Sequence, residues 1–436
     1  MALPNLLHAL AAIGISKLNT MQEDCLQELP RMPKAIVHAP TGSGKTLSYL
    51  LPLWSLLKPE SSGIQALVLV PTRELALQIG SVWKSLKTGH KVALCYGGHP
   101  ISVEEDQLRE LPALLVATPG RLKDHLGRGG LHLKTNTILV LDEYDKSLEM
   151  GFEEDLEFIY RNFHSLRFEW LVSATATKWF PSFLRKDAFP IKDFTASHEN
   201  TAQYLRFLVR ERLEDALYSL FLQIGREAAI VFCNKREEAE HLFQFLNEHG
   251  FSLALYHGGL DQRRRESMLT RFRNGSCLIL VTTDLAARGL DIPIVRHVIH
   301  AHLPMKFEEF THRNGRTARM GAGGCIYLPD NGMQALPSYV PSNLPHVTYE
   351  HKGQPALAEW ETLYISLGKK DKVNKVDIVG FLSKKGNLAK EELGLIEVKE
   401  DFSYAAVKAD KVRGVLKAIK AEKLKGQGVK IELARD

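Results

Sequence analysis

The sequence predicts two α/β units in tandem, each with a parallel sheet, followed by a small α+β domain. Three observations predict it. Short runs rich in Val, Leu and Ile alternate with amphipathic stretches through the first two thirds of the 436 residues, the pattern of strand–helix–strand units. The polar stretch "KDFTASHENTAQ" interrupts that series once, after which it begins afresh. A shorter, basic arrangement closes the chain beyond "PDNGMQALPSYVPSNLP", whose Pro and Asn content marks a connector. The expected boundaries are 1–195 and 200–330 for the two units, 331–370 for the connector and 371–436 for the tail.

In order, Leu3, Leu6, Leu7, Leu10 and Ile13 fall at helical spacing with no Lys or Arg before Lys17. A packed helix is expected there, and not a signal peptide. "AIVHA", "ALVLV", "ALLVA", "TILVLD" and "EWLVSA" read as buried strands, with helices such as "TRELALQIGSVWKSL" and "FEEDLEFIYRNF" between them. "AAIVFC", "LALYHG", "CLILVTT" and "HVIHA" are the strands of the second unit. In the tail, "VDIVGFL" reads as a strand, "LAKEELG" as a short helix, and "LIEVKE" and "FSYAAVKA" as strands. The helix "KVRGVLKAIKAEKL" and the strand "GVKIEL" complete a β-α-β-β-α-β order, that of an RRM.

Charge is uneven. The net is +5, and residues 371–436 hold 15 Lys+Arg against 11 Asp+Glu, so the tail carries +4 of it. An anionic partner or a solvated surface both fit that excess. The five cysteines are scattered with no CxxC spacing, which argues against a disulfide framework or zinc site and fits a reducing cytoplasm. "LSYLLPLWSLL" is too short to span a bilayer and contains Pro52, so no membrane partner is expected.

"APTGSGKT", residues 39–46, follows a strand and opens a helix, the setting of a P-loop. Thr41, Gly42, Ser43 and Gly44 let backbone N–H groups converge on phosphates, Lys45 adds a point charge, and the Thr46 hydroxyl is a candidate Mg²⁺ ligand. The strict pattern has glycine where Ala39 stands. "ILVLDEYDKS" ends an apolar strand in Asp142, Glu143 and Asp145. Alone, that run is equally an acidic helix start. With the P-loop upstream it becomes the second half of a nucleoside-triphosphatase site, Asp142 holding Mg²⁺ and Glu143 activating water.

The ordered set of motifs resembles the DEAD-box RNA helicases over roughly residues 10–325. Gln22 in "NTMQ" resembles the Q motif that reads adenine. "PTRELALQ", "GG" at Gly97 and Gly98, and "TPGR" resemble strand-binding motifs. "DEYD" stands at the DEAD position and "SAT" follows it. "VFCNKREEAE", "HGGLDQRRR", "TTDLAARGLDIP" and "HRNGRTARMG" match the later ones. The resemblance implies two RecA-like domains, ATP and Mg²⁺ as cofactors, and RNA as partner. It further implies that Arg316 and Arg319 are arginine fingers, that Asp291 contacts nucleotide, and that Asp145, Ser173, Thr175 and His312 couple hydrolysis to strand binding. Thr72, Arg73, Gly97, Gly98, Thr118, Gly120, Arg121, Arg265, Thr282 and Thr283 are the implied RNA contacts. Their chemistry suits phosphate oxygens and so positions a strand without reading bases.

Three departures stand out. Tyr144 replaces alanine, the aromatic expected ahead of Gln22 meets only Leu, Pro, Asn and Ala, and Asn314 and Ala318 replace Ile and Gly. The second leaves adenine selectivity resting on fewer residues than phosphate binding does.

In the tail, aligning "EDFSYAAV" with RNP1 puts Phe402 and Tyr404 at base-stacking positions; half-buried packing is the other reading. Arg413 and Lys417 lie on a basic helix suited to a phosphate backbone. "AEWETLYISLGKKDKVNKVDIVGFL" resembles the DbpA type of bacterial DEAD-box protein, whose RRM-like tail binds a hairpin of large-subunit ribosomal RNA. The expectation is an ATP-dependent RNA helicase that opens short duplexes in pre-ribosomal particles, cytoplasmic and taken as a monomer. A general RNA-stimulated ATPase on messenger RNA, or an RNA clamp with hydrolysis impaired at Tyr144, are the alternatives.

Overall fold

The computed structural model describes residues 3–434 except 41, 60–62, 130, 132, 134–136, 164, 176–179, 185–187, 196–201, 287–291, 319–322, 333–335, 342 and 348–352. The chain divides into two compact units, 1–200 with 289–291, and 201–288 with 292–436.

The first unit runs α1 (Leu3–Ala12), α2 (Thr20–Glu28), β1 (Lys34–His38), α3 (Lys45–Leu56), β2 (Ala66–Leu69), α4 (Arg73–Ser85), β3 (Val92–Cys95) and α5 (Ser102–Arg109). It continues with β4 (Leu114–Ala117), α6 (Pro119–Gly127), β5 (Thr137–Asp142), α7 (Tyr144–Glu149), α8 (Glu153–Arg161), β6 (Leu166–Ser173) and β7 (Ile191–Asp193). The strands form one parallel sheet in the order β3-β4-β2-β5-β6-β1-β7. Every residue of β2, β4 and β5 is buried, because helices cover both faces of a parallel sheet and the strands must be apolar throughout. The two edge strands, β3 and β7, were not among those expected. They are short and partly exposed, so no continuous apolar run marks them.

The second unit begins with β8 (Ala202–Leu208), α9 (Leu213–Ile224), β9 (Ala229–Phe232), α10 (Arg236–Glu248), β10 (Leu253–Tyr256) and α11 (Gln262–Arg273). Then come β11 (Ile279–Thr282), β12 (His297–His300), α12 (Phe307–Asn314) and β13 (Gly324–Asp330). This sheet is also parallel, in the order β10-β11-β9-β12-β13-β8. Residues of the connector follow β8 closely: Arg206 N–H donates to Pro345 O at 2.8 Å and Val347 N–H to Arg206 O at 2.7 Å.

The tail consists of β14 (Trp360–Ile365), α13 (Lys375–Lys384), β15 (Leu393–Val398), β16 (Ser403–Lys408), α14 (Val412–Ile419), the hairpin β17 (Lys423–Leu424) and β18 (Gln427–Gly428), and β19 (Ile431–Leu433). Its antiparallel sheet is ordered β15-β16-β14-β19. The β-α-β-β-α-β order holds, but the expected helix "LAKEELG" is only a single 3-10 turn, Lys390–Glu392, running into β15, and the first strand and first helix are reassigned. The first strand is "WETLYI", ten residues before the expected boundary at 370, and "VDIVGFL" is helical. Asn374 caps that helix through Asp377 N–H, and Ile378, Phe381 and Leu382 are buried at helical spacing while Val376 and Val379 are exposed.

One face of the tail sheet packs on α13 and α14 through Leu363, Ile365, Ile396, Ala405 and Val407. The other meets the end of α11. The Thr362 hydroxyl lies 2.7 Å from Ser276 Oγ and accepts from Asn274 Nδ2 at 3.3 Å, all buried. Arg273 pairs with Glu397 at 3.2 Å, and the Arg263 guanidinium covers the Tyr364 ring at 5.6 Å. Among the described residues, no helix is long and apolar enough to cross a membrane.

Candidate functional site

Sheet register gathers the motifs of the first unit on one edge. His38 lies opposite Ser173, Asp142 opposite Val172, and Leu69 opposite both Ala117 and Leu141, while Cys95 pairs with Ala117. The segments leaving those ends are the P-loop, "SAT", "DEYD", "PTRE", "TPGR" and "GG". Carboxyl ends of parallel strands are where such sheets bind ligands.

Gly42 and Gly44 have φ of 83° and 88°, which only glycine adopts without strain. Gly44 caps α3, and a Cβ there would sit 2.3 Å from Gln22 Nε2. The loop is braced from α2: Asn19 Nδ2 donates to Ser43 O at 2.8 Å and Gln22 Nε2 to Gly44 O at 3.3 Å. The other end of the Gln22 amide accepts from Asn19 N–H at 3.1 Å. Gln22, expected to read adenine, is here a buried brace of the phosphate loop. Ser43 Oγ donates to Pro40 O at 2.8 Å, and Lys45 Nζ to Ala39 O at 2.8 Å and Pro40 O at 3.0 Å.

Asp142 is buried at the end of β5. Tyr49 OH donates to its Oδ2 at 2.8 Å and Glu143 N–H to its Oδ1 at 3.0 Å. Burial pushes the Asp142 carboxyl above the usual range, against the pull of the Tyr49 hydroxyl and the Lys45 charge. Tyr49 also has the Thr46 hydroxyl within hydrogen-bonding reach, so Thr46 and Asp142 converge on one phenol. A buried carboxyl and a hydroxyl that meet at one phenol are oxygen donors of the kind a divalent cation takes, and such a cation would supply the positive charge that favours the ionised acid. Tyr49 had no motif to announce it.

Glu143 sits at φ 49°, ψ 47°, a strained conformation of the kind that collects at active sites. Tyr144 is fully buried, its OH 3.0 Å from His38 Nε2 and its ring 5.7 Å from Phe180. Its bulk is absorbed beneath β1. Thr175 Oγ1 donates to Asp145 Oδ2, and Ser173 Oγ accepts from Thr175 N–H at 3.0 Å. Three of the four expected coupling residues therefore form one network.

Gly97, Gly98 and Gly120 are exposed, beside the N-termini of α4 and α6. Thr72 and Thr118 stand at the caps of those helices, and Thr72 Oγ1 accepts from Leu75 N–H at 3.3 Å. A Cβ on Gly98, at φ 100°, would lie 2.5 Å from Arg73 Nη1.

The second unit repeats the arrangement. Tyr256, Thr282, Phe232 and His300 share one register level. Thr282, an expected RNA contact, is buried, and its hydroxyl donates to Tyr256 O at 2.7 Å, so it holds two strand ends together instead. Thr283 and Arg265 are half-buried, His312 and Arg316 are buried, and Thr41, Asp291 and Arg319 lie outside the described residues.

Sequence reasoning missed Arg313. It is wholly buried, bonds Asp284 at 2.6 and 2.8 Å, His302 O at 2.8 Å and Asn234 Oδ1 at 2.8 Å, and stacks on Phe232.

The departures in "HRNGRTAR" have structural consequences. Ala318 takes φ 54° where glycine would be unstrained. Asn314 Oδ1 meets buried His300 Nε2 at 2.8 Å. Burial first, then the Arg313 charge, hold His300 down at about 3. The unfolded imidazole titrates near ~6.5, so this stabilisation is complete above that pH and is lost as pH falls towards about 3. His300→Gln is expected to flatten the fall in denaturant midpoint between about pH 7.5 and 5.

In the tail, Arg413 and Lys417 are exposed on α14, whose Val412, Val415 and Ile419 face inward. Tyr404 corrects an expectation. It is 2% exposed, its ring 6.0 Å from Tyr364 and 5.3 Å from Phe402, with Ser267 and Arg263 of α11 against it. Phe402 is half-buried with Arg263 over its ring at 5.9 Å. Tyr404 is no open platform for a base. Tyr404→Ala is expected to cost about 3 kcal/mol or more, read as a lower denaturant midpoint, with Phe402→Ala costing less.

Two parallel-sheet units with a P-loop and acidic pair on the first define a nucleoside-triphosphate-driven motor core. Family comparison is specific. Residues 19–181 match the DEAD/DEAH box helicase model, 211–321 the helicase conserved C-terminal domain, and 362–433 the DbpA RNA binding domain. The chain is 31% identical to ATP-dependent RNA helicase DbpA of Escherichia coli (strain K12), over 99% of this chain and 98% of that one. It is 28% identical to the DbpA of Bacillus subtilis (strain 168), over 99% and 97%. The structure of S. cerevisiae Dbp5 bound to RNA and ADP BeF3 is similar, with TM-score 0.66 and 26% identity over 75% of this chain and 88% of that one. The chain belongs to the DEAD-box ATP-dependent RNA helicases, DbpA type.

Proposed function

We propose that this ATP-dependent RNA helicase opens short RNA duplexes during assembly of the large ribosomal subunit, in the cytoplasm, with its tail anchored on ribosomal RNA. The observation that carries this reading is the tail. Residues 362–433 match a family of RNA-binding domains tied to one helicase type, and that tail is packed on the second unit's own α11. Exposed Arg413 and Lys417 supply its contacts to the phosphate backbone.

In the catalytic core, Lys45 exchanges the carbonyls of Ala39 and Pro40 for the terminal phosphates. Thr46 and Asp142 would hold Mg²⁺, which neutralises phosphate charge when bound. Glu143 orients the attacking water and accepts its proton. Arg316 and Arg319 stabilise charge on the transferred phosphoryl group. The Thr175–Asp145–Ser173 network, with His312, relays the state of the nucleotide to the strand contacts at Thr72, Arg73, Gly97, Gly98, Thr118 and Gly120. Tyr144 is accommodated in the core, and this supports turnover over a hydrolysis-impaired clamp.

The test is the steady-state ATPase rate without RNA, with an unrelated RNA, and with a large-subunit ribosomal RNA fragment, Lys45→Ala serving as control. Stimulation by the ribosomal fragment above the unrelated RNA supports the proposal. Equal stimulation by both makes the tail a general basic anchor.

A further inference from the structure

Glu104 is the feature that the mechanism leaves unused. It lies on α5, a polar surface helix, yet is wholly buried. Its carboxylate collects donors from every direction. Tyr96 N–H donates to it at 2.9 Å, Arg121 Nε at 3.2 Å, His99 Nε2 is 2.8 Å away and His125 Nε2 2.5 Å away. The Cys95 thiol also reaches it, and burial with that neighbouring charge keeps the thiol protonated.

Cys95, Glu104 and His125 have the ligand types of a zinc site, but the spacing argues otherwise. Zinc bonds of ~2.0–2.3 Å in a tetrahedron hold ligand atoms about 3.3 Å or more apart. The imidazoles stand closer to the carboxylate than that, at hydrogen-bonding distance, and a guanidinium shares it.

Arg121 completes the arrangement. Besides Glu104, it donates to Tyr96 O at 3.2 Å and to His99 O. Those two carbonyls flank Gly97 and Gly98. The N–H of Tyr96, the ring of His99 and the carbonyls on both sides of the glycine pair are thus tied to a single buried ion pair. The exposed glycine tip is held at two roots, and Arg121 is only 14% exposed in its side chain. A guanidinium expected to meet RNA is instead engaged inside the protein.

We propose that Glu104 is a positioning residue for RNA binding, fixing the Tyr96–His99 loop and Arg121 so that the Gly97–Gly98 backbone meets the strand. This rests on the assignment of that loop to the RNA strand. The buried carboxylate holds the loop ready before RNA arrives, so binding does not have to order it. Neutralising the charge weakens each tie, and deleting it leaves buried Arg121 only the more exposed Asp124, 4.0 Å away, as counter-charge.

The test uses the full chain with Glu104→Gln and Glu104→Ala, measuring ATPase against RNA concentration, ATPase without RNA, thermal melting and zinc content. Glu104→Ala is expected to raise the RNA concentration for half-maximal stimulation about tenfold or more. The rate at saturating RNA and the KM for ATP should stay within about twofold. Glu104→Gln, which keeps an acceptor for Tyr96 N–H, should fall between alanine and the native chain. An unchanged RNA requirement in folded Glu104→Gln and Glu104→Ala overturns the proposal. If Glu104→Ala does not fold, an unchanged requirement in Glu104→Gln does so alone. Equimolar zinc lost on Glu104→Gln also overturns it, in favour of a metal centre. RNA stimulation of the native chain is measured first, and its absence defeats the loop assignment rather than the role of Glu104.

Discussion

Glu143→Gln is expected to lower the RNA-stimulated ATPase rate by ~10²–10⁴-fold while leaving RNA binding intact. The amide retains the shape and one acceptor of the carboxylate but cannot take a proton from water. The neighbouring carboxyls are engaged: Asp142 is occupied by Tyr49 OH and the Glu143 N–H, and Asp145 is joined to Thr175. The left-handed backbone at Glu143 is unaltered by the substitution, so melting should stay close to native. Single-turnover hydrolysis with bound RNA separates the outcomes. A rate within about tenfold of native would mean that another group activates the water.

Arg313→Met should be the most destabilising single change in the second unit. The guanidinium ties three loops together through Asp284, His302 O and Asn234. A buried pair broken from one side costs about 3–5 kcal/mol, because its partner is left without a counter-charge. Lysine cannot substitute, since one ammonium does not span a forked carboxylate and two further acceptors. Arg313 stands on α12 beside His312 and three positions before Arg316, so displacement of that helix by about 1 Å should also lower RNA-stimulated turnover by about 10²-fold. Denaturant unfolding and ATPase assays of the same preparation check both. A native midpoint would show that the Asn234–His302–Asp284 loops hold their places without it.

The motifs were legible because each is contiguous: a glycine-rich loop, an acidic strand end or a repeated arginine announces its chemistry within a few residues. The central strands were legible because both faces are covered, leaving unbroken apolar runs. Edge strands carry less of that signal, which is why β3, β7 and β8 were not read; β13, one place in from the edge, ends in Pro329 and Asp330, which break its apolar run. The tail's first strand hid because "WETLYI" alternates between a core face and a face against α11, while "VDIVGFL" offered a more apolar run that proved helical. Tyr49, Glu104 and Arg313 act on partners 93, 17 and 29 positions away, and such pairing is not written in local spacing. Tyr404, Thr282 and Gln22 were expected at ligand contacts; all three are buried and make contacts within the protein that local spacing does not announce.

The packing of Thr362 against Ser276 and Asn274 has a consequence for what the tail does. On a free linker, a tail raises local concentration and little else, and its reach grows with linker length. Seated on the end of α11, it becomes a ruler. If the expected strand contacts Arg265 and Thr283 of the second unit hold, the distance between them and the RNA element held by the tail is set by protein packing. Lengthening the connector would leave that distance alone, whereas an aspartate at Thr362 would blur it. Grafting a foreign tail onto this core would transfer affinity for a new RNA without transferring the calibration.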